Sequence, residues 1–216
     1  MQQQIKTAET SPVLESHRGP LHVGMVALRV RDVERVAQFY DNVIGLTLIA
    51  AGPDSAVLGN DGVPLLRLER DATAERAPHG APGLFHTAFV LPQRADLGVW
   101  LATAAANRWR IEGAADHLVS EAVYLSDPEG NGIEIYRDRP RAEWPHRGER
   151  VHMSNDRLDI EGLLALGRNS LIGPTYRLPR GARVGHVHLK VSDLPEARHV
   201  ISDSWGIAEM CLFPGA

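Results

Sequence analysis

Cysteine is almost missing from this sequence. Cys211 stands alone among 216 residues, so no internal disulfide can form and a cysteine-built zinc site is all but excluded. An excess of basic charge is missing too. The 23 Lys and Arg against 27 Asp and Glu give a formal net charge of -4, which offers no footprint for nucleic acid and no polybasic strip for a lipid surface. No run of about 18 apolar residues is present to span a bilayer. The polar, Gln-rich stretch from Met1 to Ser16 has no apolar core of the signal-peptide kind. These absences point to a reducing, cytoplasmic setting, to a disordered lead-in over residues 1–19, and to small molecules or further copies of the chain as partners. What the chain has in quantity is apolar: 44% hydrophobic residues supply a core for one sizeable domain and part of another.

The sequence also repeats itself. Gly24 to Leu46, GMVALRVRDVERVAQFYDNVIGL, lies without a gap over Gly185 to Ile207, GHVHLKVSDLPEARHVISDSWGI. The two share Gly24 and Gly185, Val26 and Val187, Leu28 and Leu189, Val30 and Val191, Asp32 and Asp193, and Gly45 and Gly206. Val26, Leu28 and Val30 alternate with Ala27, Arg29 and Arg31, the period of a half-buried strand. Asp32 ends that strand and is placed to cap a helix running to about Ile44, with Val33, Val36, Phe39, Tyr40 and Val43 on one face and Gly45 at its C-terminal stop.

A more divergent copy begins at GLFHTAFVLP, where Phe85, Thr87, Phe89 and Leu91 alternate around His86, and a helix from about Ala95 to Asn107 follows. Short strands are expected near 47–50, 56–59 and 64–69, with Asn60-Asp61-Gly62 as a hairpin turn, and near 122–125 and 133–136, joined by Asp127-Pro128-Glu129-Gly130-Asn131-Gly132. The fold class is therefore α+β: βαβββ modules paired into a curved mixed sheet. Residues 20–140 hold two modules (20–70 and 83–140), 141–181 a linker, and 182–216 the start of an incomplete third. In the linker, Leu158, Ile160, Leu163, Leu164 and Leu166 predict one short amphipathic helix. The strand over 184–191 is expected to lack sheet partners within the chain, and a homodimer would cover it.

Together, GLFHTAFVLP, DHLVSEAVYLSDPEGNGIEIYRDRP, DIEGLL and GHVHLKVSDL resemble the vicinal-oxygen-chelate superfamily, and within it the four-module group like catechol 2,3-dioxygenase. The resemblance runs from about Leu21 to Met210. It implies a metal held by His residues on the first strands of two modules and a Glu on a last strand. The first-strand ligand lies seven positions before the strand-ending residue, as His186 does before Asp193. His86 falls in the equivalent place, and Glu134 lies on the last strand of its module, in Gly-Ile-Glu-Ile-Tyr. Met25 occupies the position in the first module and supplies no ligand. His86, Glu134 and His186 would form one facial triad if the second and third modules pair.

Two histidines, a carboxylate and open cis positions suit Fe(II), or alternatively Mn(II), acting on a small aromatic diol and dioxygen. Tyr124 lies ten residues before Glu134, the spacing at which extradiol enzymes carry a Tyr that orients the catecholate; an aromatic packed in the core is the plain alternative. His117, in Asp-His-Leu-Val-Ser, resembles the family's active-site histidine and is suited to proton transfer near neutral pH, against a plain surface-loop histidine. His188 stands on the same side as His186. His22, His79, His146, His152 and His199 read as solvated. Two other functions use the same fold. A glyoxalase-like isomerase or thiol transferase would want a second carboxylate, for which Glu69 is the candidate, and a metal-free binding protein would want none.

Overall fold

The computed structural model describes residues 22–78, 80–168, 170, 173–205 and 207–211. The lead-in expected over 1–19 lies outside the described residues, as do His79, Gly206 and Leu212. β1 (Val26–Val30) buries every second side chain, as its residue types require. Asp32 caps α1 (Val33–Phe39), its carboxylate accepting the Arg35 N–H at 3.0 Å. The chain widens into one π-helical turn, Tyr40–Ile44, which stops at Gly45 in the left-handed conformation, φ 87°. β2 (Thr47–Gly52), β3 (Ser55–Asn60) and β4 (Val63–Arg70) complete a four-stranded sheet of order β1-β4-β3-β2, with β1 and β4 parallel. Asp61 and Gly62 join β3 to β4 with φ of 50° and 77°, the pair of positive values that a two-residue hairpin turn of type I′ demands.

The second sheet follows the same plan. β5 (Gly83–Val90) leads into α2 (Arg94–Asn107), then β6 (Gly113–Asp116), β7 (Ser120–Ser126) and β8 (Gly132–Asp138), with β5 and β8 parallel. β6 is not among the expected strands. Its sequence, Gly-Ala-Ala-Asp, carries no β-branched or aromatic residue and is too short to show a period. A small hairpin, β9 (His146–Arg147) and β10 (Arg150–Val151), precedes α3 (Ile160–Gly167), the expected amphipathic helix. α3 lies against α2 at Gly98 and Gly167, where a Cβ on either would run into the other helix's backbone.

β11 (Arg183–Lys190), α4 (Leu194–Arg198) and a π-helical turn, His199–Ser204, are the last helices and strands among the described residues. Here one expectation is corrected, because β11 has a sheet partner within the chain. It pairs antiparallel with β5, giving the order β11-β5-β8-β7-β6. β5 is the first strand of its unit, so its outer edge offers a row of unpaired backbone groups, and β11 fills that row. β11 therefore needs no second copy on this side. Its other edge has no strand beside it among the described residues, and Leu189, Leu194 and Trp205 are exposed nearby.

One apolar core runs through both sheets. Tyr40 meets Phe89 at 6.3 Å between ring centroids. Trp100 donates its indole N–H to Val43 O at 2.9 Å. Glu129, in the β7–β8 turn, accepts the backbone N–H groups of Arg31 and Asp32 at 2.8–3.0 Å, satisfying donors at the start of α1. No helix among the described residues is long and apolar enough to cross a membrane.

Candidate metal centre

β5, β8 and β11 are adjacent, and their register stacks three side chains at one level. Ala88 on β5 lies opposite Glu134 on one side and His186 on the other. His86, two residues before Ala88, projects from the same face. Thr87 and Phe89 take the opposite face, where Phe89 joins the main core with Ile133 and Ile135. The spacing of seven holds in all three copies, because Asp32, Gln93 and Asp193 are the N-cap residues of α1, α2 and α4.

The ligand atoms of His86, Glu134 and His186 all lie within 4.8 Å of one another. Glu134 Oε2 is 2.9 Å from His86 Nε2 and 3.2 Å from His186 Nε2. His86 and Glu134 are buried, whereas the His186 side chain is 44% exposed and opens the group to solvent. The His86–Glu134 contact is short but off the direction of a hydrogen bond, so Nε2 is a buried nitrogen without a hydrogen-bond partner. Burial alone would raise the Glu134 pKa; the contacts to His186 and His86 outweigh it and hold the carboxyl at about 2. Among the described residues its ion-pair partners are these two histidines. A buried carboxylate whose ion-pair partners are two imidazoles is short of positive charge, and an imidazole nitrogen beside it with no hydrogen-bond partner has a lone pair to offer. A divalent cation would answer both, supplying the charge and taking the lone pair, so the residues fit a metal.

Tyr124 on β7 is in register with Glu134. Burial raises its pKa, and the charge of Glu134 adds to the effect. His117 sits in the β6–β7 turn, with Nδ1 2.8 Å from Ser154 O and Nε2 2.6 Å from the Tyr124 oxygen. A carbonyl only accepts, so Nδ1 carries the hydrogen and, in the neutral ring, Nε2 accepts the Tyr124 O–H. His188 packs edge-on to His86 at 4.9 Å; burial, then the neighbouring His86 and His186, lower its pKa. Tyr136, which the sequence did not single out, lies 4.9 Å from the His186 ring. A cavity of about 620 Å³ opens over the group, walled by Phe85, Ala114, Ala115 and Met153 as well as Tyr124 and His117. That is the scale of a small-molecule site.

Among the described residues the first sheet has no such group. Ala27 there faces Arg67 in the register that Ala88 and Glu134 occupy in the second, and Met25 stands where His86 would. Glu69 ion-pairs with Arg67 at 2.8 Å and lies one sheet away from the three ligand atoms. His22, His146 and His199 are exposed and His152 is half-buried.

The model of the Glyoxalase/Bleomycin resistance protein/Dioxygenase superfamily matches residues 22–135. Catechol-2,3-dioxygenase of Bacillus subtilis (strain 168) is 43% identical over 188 residues, 86% of this chain and 65% of that protein. The chain thus spans just under two thirds of that relative's length. Among solved structures, a lactoylglutathione lyase from Agrobacterium tumefaciens is 26% identical, with 55% of this chain and 95% of that one covered and a TM-score of 0.46. A glyoxalase/dioxygenase from Nostoc punctiforme is 19% identical, with 62% and 100% covered and a TM-score of 0.47.

Proposed function

This chain belongs to the glyoxalase/bleomycin resistance protein/dioxygenase superfamily, and on that premise we propose that His86, Glu134 and His186 hold Fe(II), or Mn(II) in its place, and that the protein cleaves a catechol-like ring with dioxygen. The observation that carries this reading is the convergence of two imidazoles and one carboxylate, from three adjacent strands, beneath a cavity that also holds a Tyr–His pair. The 43% identity to a catechol-2,3-dioxygenase supports it. When bound, such an ion supplies neighbouring coordination positions for both hydroxyl oxygens of a catechol and for dioxygen.

The chain's own residues account for the rest. His86, Glu134 and His186 point from sheet strands, so their aim is set by the ladder rather than by a loop. The Tyr124 hydroxyl stands at the cavity wall with its proton directed to His117 Nε2. A diol proton passed to the Tyr124 oxygen is therefore relayed to the His117 ring. Phe85, Ala114, Ala115 and Met153 offer apolar contact to an aromatic ring. The overall change balances without an outside reductant: one ring carbon–carbon bond beside the diol breaks, and both atoms of one dioxygen enter the product. A glyoxalase-like isomerase would call for a second carboxylate, and Glu69 stands on the other sheet.

The test is purification without oxygen, a metal assay, and oxygen uptake with catechol. One iron or manganese per chain and one dioxygen consumed per catechol are expected. Nickel or zinc with no oxygen uptake would favour the isomerase, and no metal at all would overturn the reading.

A further inference from the structure

The turn between β6 and β7 is tied down at more points than a short hairpin needs. His117 N–H donates to Ser120 O at 2.8 Å, closing the turn. Asp116 and Asp156 exchange both backbone hydrogen bonds at 2.9 Å, and Ser154 N–H donates to His117 O at 3.3 Å. The Ser154 segment that these bonds secure is the one whose carbonyl fixes His117 Nδ1. Within the turn Leu118 adopts φ 69°, a left-handed conformation that a residue with a side chain keeps only when its surroundings hold it there. Its N–H donates to Asp116 Oδ1 at 2.9 Å.

Asp116 is itself gripped from β8's end. The two terminal nitrogens of Arg139 donate to its two oxygens at 2.6 and 2.8 Å, the bidentate arrangement that only a guanidinium gives. Arg139 is anchored in turn, because its backbone N–H donates to Val119 O at 2.7 Å and its carbonyl accepts the Trp144 indole N–H at 2.8 Å. Nearby, the buried carboxylate of Glu121 reaches Arg139 only at 3.8 Å and is held closely by Arg94 and Arg137, at 2.9 and 2.6 Å. Changing Arg139 therefore removes the guanidinium from the Asp116 carboxylate while Glu121 keeps its two near partners.

From this geometry we infer that Arg139 is a positioning residue: through Asp116 it holds the β6–β7 turn, and with it the Nδ1-protonated His117 ring whose Nε2 faces Tyr124. The inference rests on the proposed role of the Tyr124–His117 pair in ring cleavage. It is tested in the full chain with Arg139→Gln and Arg139→Lys, each made alone and together with His117→Ala. Arg139→Gln slows turnover of catechol by about 10- to 100-fold, the scale of a misaimed catalytic group, with KM and metal content near wild type. Arg139→Lys keeps the charge without the two-pronged grip and falls between the two. In the His117→Ala background neither change slows turnover further, because the group being aimed is already gone.

A second readout needs no turnover. In protein labelled with ¹⁵N-histidine, the His117 ring signals report protonation at Nδ1 in the wild type and a mixture of both tautomers in Arg139→Gln. Equal losses in both backgrounds, or His117 ring signals unchanged in Arg139→Gln, would overturn the inference. A wild-type protein that cleaves no catechol would instead sink the proposed function, and the ring signals would still decide the role of Arg139.

Discussion

The two sheets are built on one plan and differ in what they present. In each, a first strand lies parallel to a last strand, with β1 beside β4 and β5 beside β8, and a small residue, Ala27 or Ala88, sits at the matching level. Beside Ala88 stand Glu134 and, two residues along, His86. Beside Ala27 stand Arg67 and Met25. The first strand of the second sheet also has a neighbour on its outer side, β11, which brings His186 opposite Ala88 and helps bury His86. β1 has no such neighbour among the described residues, and Met25 is 44% exposed. The shared plan thus makes a platform, whereas the site needs two particular outward residues and a third strand to close the edge.

The largest expected effect breaks the second sheet's distinction outright. Glu134→Ala or His86→Ala lowers metal affinity by more than about 100-fold, beyond what loss of an outer partner costs, while circular dichroism stays near wild type because the face toward α2 carries the core. Wild-type metal content in either variant would refute the assignment.

Ala88→Leu tests the small residue at the centre. The added bulk lies between Glu134 and His186, so most bound metal is lost at a stability cost of about 1–3 kcal/mol. Full metal content in a folded Ala88→Leu protein would show that the level between the three strands is not the ligand space.

A smaller effect is expected from Tyr124→Phe. Metal is retained and turnover slows by about 100-fold, because the proton relay to His117 is lost. Unchanged turnover would return Tyr124 to a packing role.

Acid gives a subtler signature. The Glu134 carboxyl is held at about 2, against 4.5 for an ordinary glutamate. A lowered acid pKa contributes stability that is complete above about pH 4.5 and is lost as pH falls toward 2. Urea midpoints should fall across that window, and Glu134→Gln should flatten the fall; an equally steep curve in the variant would assign the loss to other groups.

The least effect is expected from Met25→His. Arg67 occupies the level of the missing carboxylate and no further strand closes β1's edge, so the metal content per chain stays at the wild-type value.

Much of this is legible in one dimension. The repeat, the half-buried alternation of Val26, Leu28 and Val30, the Asp61-Gly62 turn and the Gly45 stop are local matters. Each depends on side-chain period or backbone conformation over a few residues, and the sequence carries them directly. The same repeat puts His86 and His186 at equivalent positions of their first strands, seven residues before a helix N-cap. Other features are not legible because they are relations between distant edges and surfaces. A strand's sequence does not say which free edge it will meet, so the pairing of β11 with β5, across about a hundred residues of chain, is decided by which backbone row is left unfilled. β6 has too little side chain to announce itself and exists because β7 offers it an edge. The sequence suggests Glu69 for the first sheet, whereas the register places Arg67 at the level of Glu134. The Arg139 grip on Asp116, the Ser154 carbonyl that sets the His117 tautomer and the space above Ala88 arise only when separate segments are packed together. Local period determined which residues could face one another, and tertiary packing decided which of them do.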